Sequence, residues 1–114
     1  MMKRSVMFGL VALMLLTTAF AALYANSVRP SLSFSGNEAI CKCTVVADDA
    51  NAEISVEMTL YQGSSVVDSW SDSGTGSVRA TGYATVDMGD YYTLEVEATI
   101  NGRTYTDSVG GMCE

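Results

Sequence analysis

The sequence predicts an all-β chain, seven antiparallel strands folded as a two-sheet sandwich behind an N-terminal export signal. Three observations predict it. Several segments alternate apolar and polar residues with period two, the mark of half-buried strands. Turn-forming clusters recur at roughly ten-residue spacing. One proline, Pro30, and no helical periodicity complete the pattern.

The chain opens MMKRSVMFGLVALMLLTTAFAALYANS. Lys3 and Arg4 form a short positive region, an apolar run follows from Val6, and small residues end it. That is the layout of a secretory signal peptide, residues 1–25, with cleavage sites after Ala21 or Ala25. Left uncleaved, the run from Val6 to Ala25 is nearly long enough to anchor the chain in a membrane. Residues 26–114 then form one small extracellular domain, with no later apolar run to cross a bilayer.

Each strand has its own justification. SLSF turns Leu32 and Phe34 inward. AICKCTVV turns Cys41 and Cys43 to one side and Lys42 to water. EISVEMTLY, residues 53–61, sets Ile54, Val56, Met58 and Leu60 against Ser55, Glu57, Thr59 and Tyr61. VVDSW, residues 66–70, is ambiguous in register. SVRATGYATV, residues 77–86, has an inward face of Val78, Ala80, Gly82, Ala84 and Val86. YYTLEVEATI, residues 91–100, sets Tyr92, Leu94, Val96, Ala98 and Ile100 against Tyr91, Thr93, Glu95, Glu97 and Thr99. RTYTDSV, residues 103–109, is too polar to be central and reads as an edge strand.

The connections agree. Asn101-Gly102 between two strands is the strongest short hairpin signal, because a type I′ turn needs positive φ at both positions. Residues 48–51, Gln62-Gly63-Ser64 and residues 72–76 are turn clusters. Seven short strands joined this way fit an immunoglobulin or fibronectin type III-like sandwich.

Charge and composition exclude several classes of function. Residues 26–114 carry four cations against thirteen carboxylates, a net charge of −9. That repels nucleic acid and anionic membrane surfaces and favours a basic partner. There is no histidine, which removes Ser-His-Asp and Cys-His catalysis and the usual zinc sets. Asp48-Asp49 and Asp87/Asp90 are oxygen donors suited to calcium, but neither matches an EF loop and turn chemistry accounts for them equally. Neither a metal nor any other cofactor is expected. Trp70 reads as a packing residue, with carbohydrate stacking the minority reading.

Three cysteines remain: Cys41, Cys43 and Cys113. Alternating strand directions bring the start of the second strand and the end of the seventh to one pole, so Cys41–Cys113 is the best-placed disulfide. It would close a loop of about seventy residues, worth roughly 4 kcal/mol on a chain-entropy model. A Cys41–Cys43 bond would crumple the strand, since residues i and i+2 lie roughly 6.5–7 Å apart. Cys43 is left as a buried small hydrophobe, or as an intermolecular or reactive thiol.

VDMGDYYTLEVEA resembles the corner and sixth strand of a fibronectin type III domain, with Val86, Gly89, Tyr92, Leu94 and Val96 in place and Met88 where that family has proline. The resemblance implies a tyrosine corner at Tyr92, its hydroxyl bonding back to the backbone. More widely, RPSLSFSG, Cys41, WSDSGTG at 70–76, Gly89/Tyr92 and the C-terminal Cys113 resemble a group of short secreted immunoglobulin-like proteins of Gram-positive bacteria. In that group Cys41 and Cys113 are the usual cysteine positions and Cys43 falls where an aliphatic residue is usual. The group implies fold and compartment and no activity.

What remains is a surface. The outward positions of the third and sixth strands, neighbours in such a sandwich, are Glu57, Thr59, Tyr61, Tyr91, Thr93, Glu95 and Glu97. Tyrosine beside carboxylate suits a basic partner. The expectation is a secreted, non-enzymatic module that binds a protein or cell-surface component. The alternative is a structural or self-associating subunit joined through the 103–109 edge strand or Cys43.

Overall fold

The computed structural model describes residues 26–114; the expected signal peptide, residues 1–25, lies outside the described residues. Seven strands follow one another: β1 (Ser27–Ser35), β2 (Glu38–Val46), β3 (Glu53–Gln62), β4 (Ser65–Thr75), β5 (Ser77–Thr85), β6 (Tyr91–Ile100) and β7 (Arg103–Met112). They form two antiparallel sheets, β1-β2-β5 and β4-β3-β6-β7. The constant-type immunoglobulin sandwich places the fourth strand in the sheet of the first, second and fifth; here β4 pairs with β3 instead.

Alternation dictates the core. Ile54, Val56, Met58 and Leu60 of β3, and Tyr92, Leu94, Val96, Ala98 and Ile100 of β6, are buried between the sheets. From the other sheet come Ala39, Cys41, Cys43 and Val45 of β2 and Val78, Ala80 and Ala84 of β5. No charged or polar side chain among the described residues is buried. Strands β1 and β7 are edges, and their inward residues Leu32, Phe34, Tyr105 and Val109 are only half-buried.

The turns hold their predicted geometry. Asn101 and Gly102 both have positive φ, 49° and 83°. Asn101 also pins the start of β3, accepting the Glu53 N–H on Oδ1 and donating its own N–H to the Glu53 carbonyl, each at 2.9 Å. The 72–76 cluster behaves differently from its expectation. Residues 72–75 belong to β4, and the turn contracts to Gly76 at φ 78°. Polar residues suit an edge strand as well as a turn, and composition alone does not separate the two.

The register of 66–70 was ambiguous for a visible reason. Tyr61 pairs with Val66 but Leu60 pairs with Asp68, so Val67 is an extra residue in a bulge. The inward residues Val67 and Trp70 therefore sit three apart, which breaks the period of two. Trp70 lies flat on Gly82 of β5; any Cβ at Gly82 would enter the indole ring. The contact joins the edge of one sheet to the edge of the other and leaves no room for a side chain.

The expected Cys41–Cys113 disulfide is not formed: all three cysteines are free and buried. The strand directions do bring the tail to the predicted pole, but not to Cys41. The Cys113 thiol donates to the Gly36 carbonyl in the β1–β2 turn at 3.2 Å. Ala39, the first inward residue of β2, lies between that turn and Cys41 along the strand. The tail is held by hydrogen bonds instead. Cys113 N–H donates to the Asp90 carbonyl at 2.9 Å, and the Cys113 carbonyl accepts from the Gly89 N–H.

Candidate functional site

The outward face of the four-stranded sheet collects the residues singled out from sequence. Strands β3 and β6 are central neighbours, and their register sets Glu57 opposite Glu97, Thr59 opposite Glu95 and Tyr61 opposite Thr93. The outer strands extend these rows. Ser71 flanks Glu57 and Thr106 flanks Glu97; Ser69 flanks Thr59 and Ser108 flanks Glu95. Tyr91 lies at the end of the face with its ring over Gly110 of β7.

These side chains line a shallow concavity of about 680 Å³, formed by Glu57, Thr59, Tyr61, Glu95, Glu97 and residues 106–108 of β7. The three glutamates are exposed, while Thr59, Tyr61 and Thr93 are half-buried. No Lys or Arg occupies an outward position in this sheet: its sole cation, Arg103, pairs with the inward Ile100. Glu57 and Glu97 thus face each other with nothing beside them to neutralise them. Like charges directly across a strand pair destabilise a sheet, so the arrangement costs the fold something and attracts cations.

Sequence alone missed Ser69, Ser71, Thr106 and Ser108, which make the face wider than its two central strands. Their positions depend on cross-strand pairing. On β7 the register could have been counted outward from the Asn101-Gly102 turn. On β4 the bulge defeats such a count.

The acidic turns do other work. Asp49 Oδ1 accepts the Asn51 N–H at 2.9 Å, a local turn contact, and Asp90 Oδ2 accepts Gln62 Nε2 at 2.8 Å. Among the described residues no three His, Cys, Asp or Glu side chains gather as metal ligands would. The Tyr92 hydroxyl accepts the Asp87 N–H at 2.8 Å, five residues upstream, and its buried ring packs 5.9 Å from Phe34. That bond fixes the bend leading into β6 and hence the start of the acidic face.

The Cys41 and Cys43 thiols are unsuited to chemistry. Burial, with the Asp68 carboxylate acting in the same direction, raises the Cys41 thiol to about 11. Burial also raises Cys43, aided by Asp107 and opposed by a backbone hydrogen bond from Arg29. Protonated thiols are poor nucleophiles, and with no exposed surface Cys43 offers a second chain nothing to bond.

The two edges of the four-stranded sheet are also blunted. Asp68, Asp72 and Asp107 each accept, at 2.8 Å, the backbone N–H of the following residue. Residues 69 and 73 lie on edge strand β4 and residue 108 on edge strand β7. An amide already satisfied, next to a carboxylate, is a poor template for an added strand.

No protein-family model matches the chain, and no curated protein matches it. Among the solved structures that resemble it are two of β-glucuronidase from Parabacteroides merdae. The first is 19% identical with a TM-score of 0.51, over 76% of this chain and 14% of that one. The second, with glycerol in its active site, is 19% identical with a TM-score of 0.48, over 75% and 13%. The chain therefore spans about one seventh of the enzyme it resembles. The likeness shows the fold alone: an all-β fold similar to one part of a much larger protein. The narrower likeness to short secreted proteins of Gram-positive bacteria finds no counterpart in these comparisons.

Proposed function

We propose that the chain is a secreted, non-enzymatic β-sandwich module that binds a basic protein or cell-surface component through the outward face of its four-stranded sheet. The observation that carries this is the Glu57–Glu97 pair, opposed across the central strands beside Glu95 and without a cation on the same face. A sheet face needed only for solubility would do as well with mixed charges, which avoid the repulsion. Serine and threonine in the flanking rows supply hydrogen-bonding groups around the charge.

The test is a triple substitution, Glu57→Gln, Glu95→Gln and Glu97→Gln, all at exposed positions. Titrated with a lysine-rich peptide, the parent protein should bind and the variant should bind at least about tenfold more weakly, a difference of about 1.4 kcal/mol. The variant should also melt slightly higher, because the repulsion is gone. Equal affinity in the two proteins would remove this face from consideration.

A further inference from the structure

The opposite side of the sandwich carries the complementary charge. Of the four cations in the described chain, Arg29, Lys42 and Arg79 all lie on the outward face of the three-stranded sheet. The register aligns Arg29, Thr44 and Arg79 in one row across β1, β2 and β5, with Lys42 on the central strand two residues along. All three cations are exposed. That sheet contains a single carboxylate, Glu38, at the far end of β2.

The two charge patterns are alike in size. With strands about 4.8 Å apart and about 6.7 Å between alternate residues, Arg29 and Arg79 stand about 10 Å apart and Lys42 about 8 Å from each. By the same spacing Glu57 and Glu97 are about 5 Å apart and Glu95 about 7 Å from Glu97. Long, flexible Arg and Lys side chains span the difference.

Resting on the proposed binding role of the acidic face, we infer that its partner is a second copy of this chain, seated through the basic face of the three-stranded sheet. The contact is face to face and head to tail. Each pair keeps one acidic and one basic face free, at its two opposite ends, so the contact propagates as an open row rather than closing as a dimer. Two other routes to association are obstructed, because amides on the β4 and β7 edges are satisfied by Asp68, Asp72 and Asp107 and Cys43 is buried. The smaller face measures roughly 30 by 14 Å, about half the area per partner of a standard interface. The association is accordingly weak and appears at high concentration. The net charge of −9 on residues 26–114 opposes approach at long range, but at about 0.15 M salt charges are screened beyond about 8 Å, and the apposed faces decide the outcome.

Sedimentation equilibrium on the purified chain tests this with two charge-reversed variants. One carries Glu57→Lys, Glu95→Lys and Glu97→Lys; the other carries Arg29→Glu, Lys42→Glu and Arg79→Glu. At about 0.15 M salt the parent's average mass should rise with concentration toward about 1 mM, and fall back at about 0.5 M salt. Each variant alone should remain monomeric, and an equimolar mixture of the two should regain the parent's association, which also shows that both are folded. A parent that stays monomeric throughout, variants that associate alone as the parent does, or a mixture that stays monomeric overturns the inference. A monomeric parent that still binds the lysine-rich peptide through Glu57, Glu95 and Glu97, or binds phosphatidylglycerol vesicles through Arg29, Lys42 and Arg79, marks a different occupant. In the peptide case the proposed role of the acidic face survives the loss of the second copy.

Discussion

Single residues show what a sequence reading reaches and where it stops. Cys41 and Cys43 were placed inward because Lys42 between them had to face water, and both are buried. The pairing of Cys41 with Cys113 did not follow, because strand direction identifies a pole and not a depth along a strand. Cys113 reaches the pole and meets Gly36. The raised thiol at Cys41 has a consequence for stability. Between the unfolded value of 9.0 and about 11 the unfolded chain loses this proton while the folded one retains it. Stability contributed by the protonated thiol is therefore full below pH 9 and declines as pH rises toward 11. Urea unfolding of the parent and of Cys41→Ala should show it. The parent's advantage at pH 8 should shrink by roughly 2–3 kcal/mol by pH 11, and an advantage constant with pH would contradict the assignment.

At the scale of elements, the strongly alternating strands were legible almost residue by residue. Strands β3, β5 and β6 bury the side chains that their period of two selected. The Asn101-Gly102 turn was legible because few sequences tolerate two adjacent positive φ angles. Strand β4 was not, since its bulge at Val67 breaks the alternation and its polar end, residues 72–75, resembles a turn. What fixes β4 is tertiary: Trp70 on Gly82. Gly82→Ala should therefore destabilise the fold by about 1–3 kcal/mol, the usual range for overpacking. In a double-mutant cycle, Trp70→Leu should relieve part of that cost, with a coupling of at least about 0.5 kcal/mol by chemical denaturation. Strict additivity would place the strain elsewhere.

Over the whole molecule, the two sheets divide the charge. One outward face carries Glu57, Glu95 and Glu97, and the other carries Arg29, Lys42 and Arg79. The acidic half was legible, since alternation alone put the glutamates outward on adjacent strands. The basic half was not, because Arg29, Lys42 and Arg79 are scattered over fifty residues of chain and meet only through the pairing of β1, β2 and β5. A sandwich with a charge axis through its thickness has two faces to offer, while the β4 and β7 edges carry their own capping carboxylates. In the function proposed above, recognition belongs to the faces, with the acidic one central to it. The most direct measurement is amide NMR of isotopically labelled protein titrated with a lysine-rich peptide. We expect shifts that saturate and concentrate at residues 57, 59, 95, 97, 106 and 108. Shifts concentrated in the 48–49 and 87–90 turns, or along β4, or absent altogether, would contradict a binding role for this face.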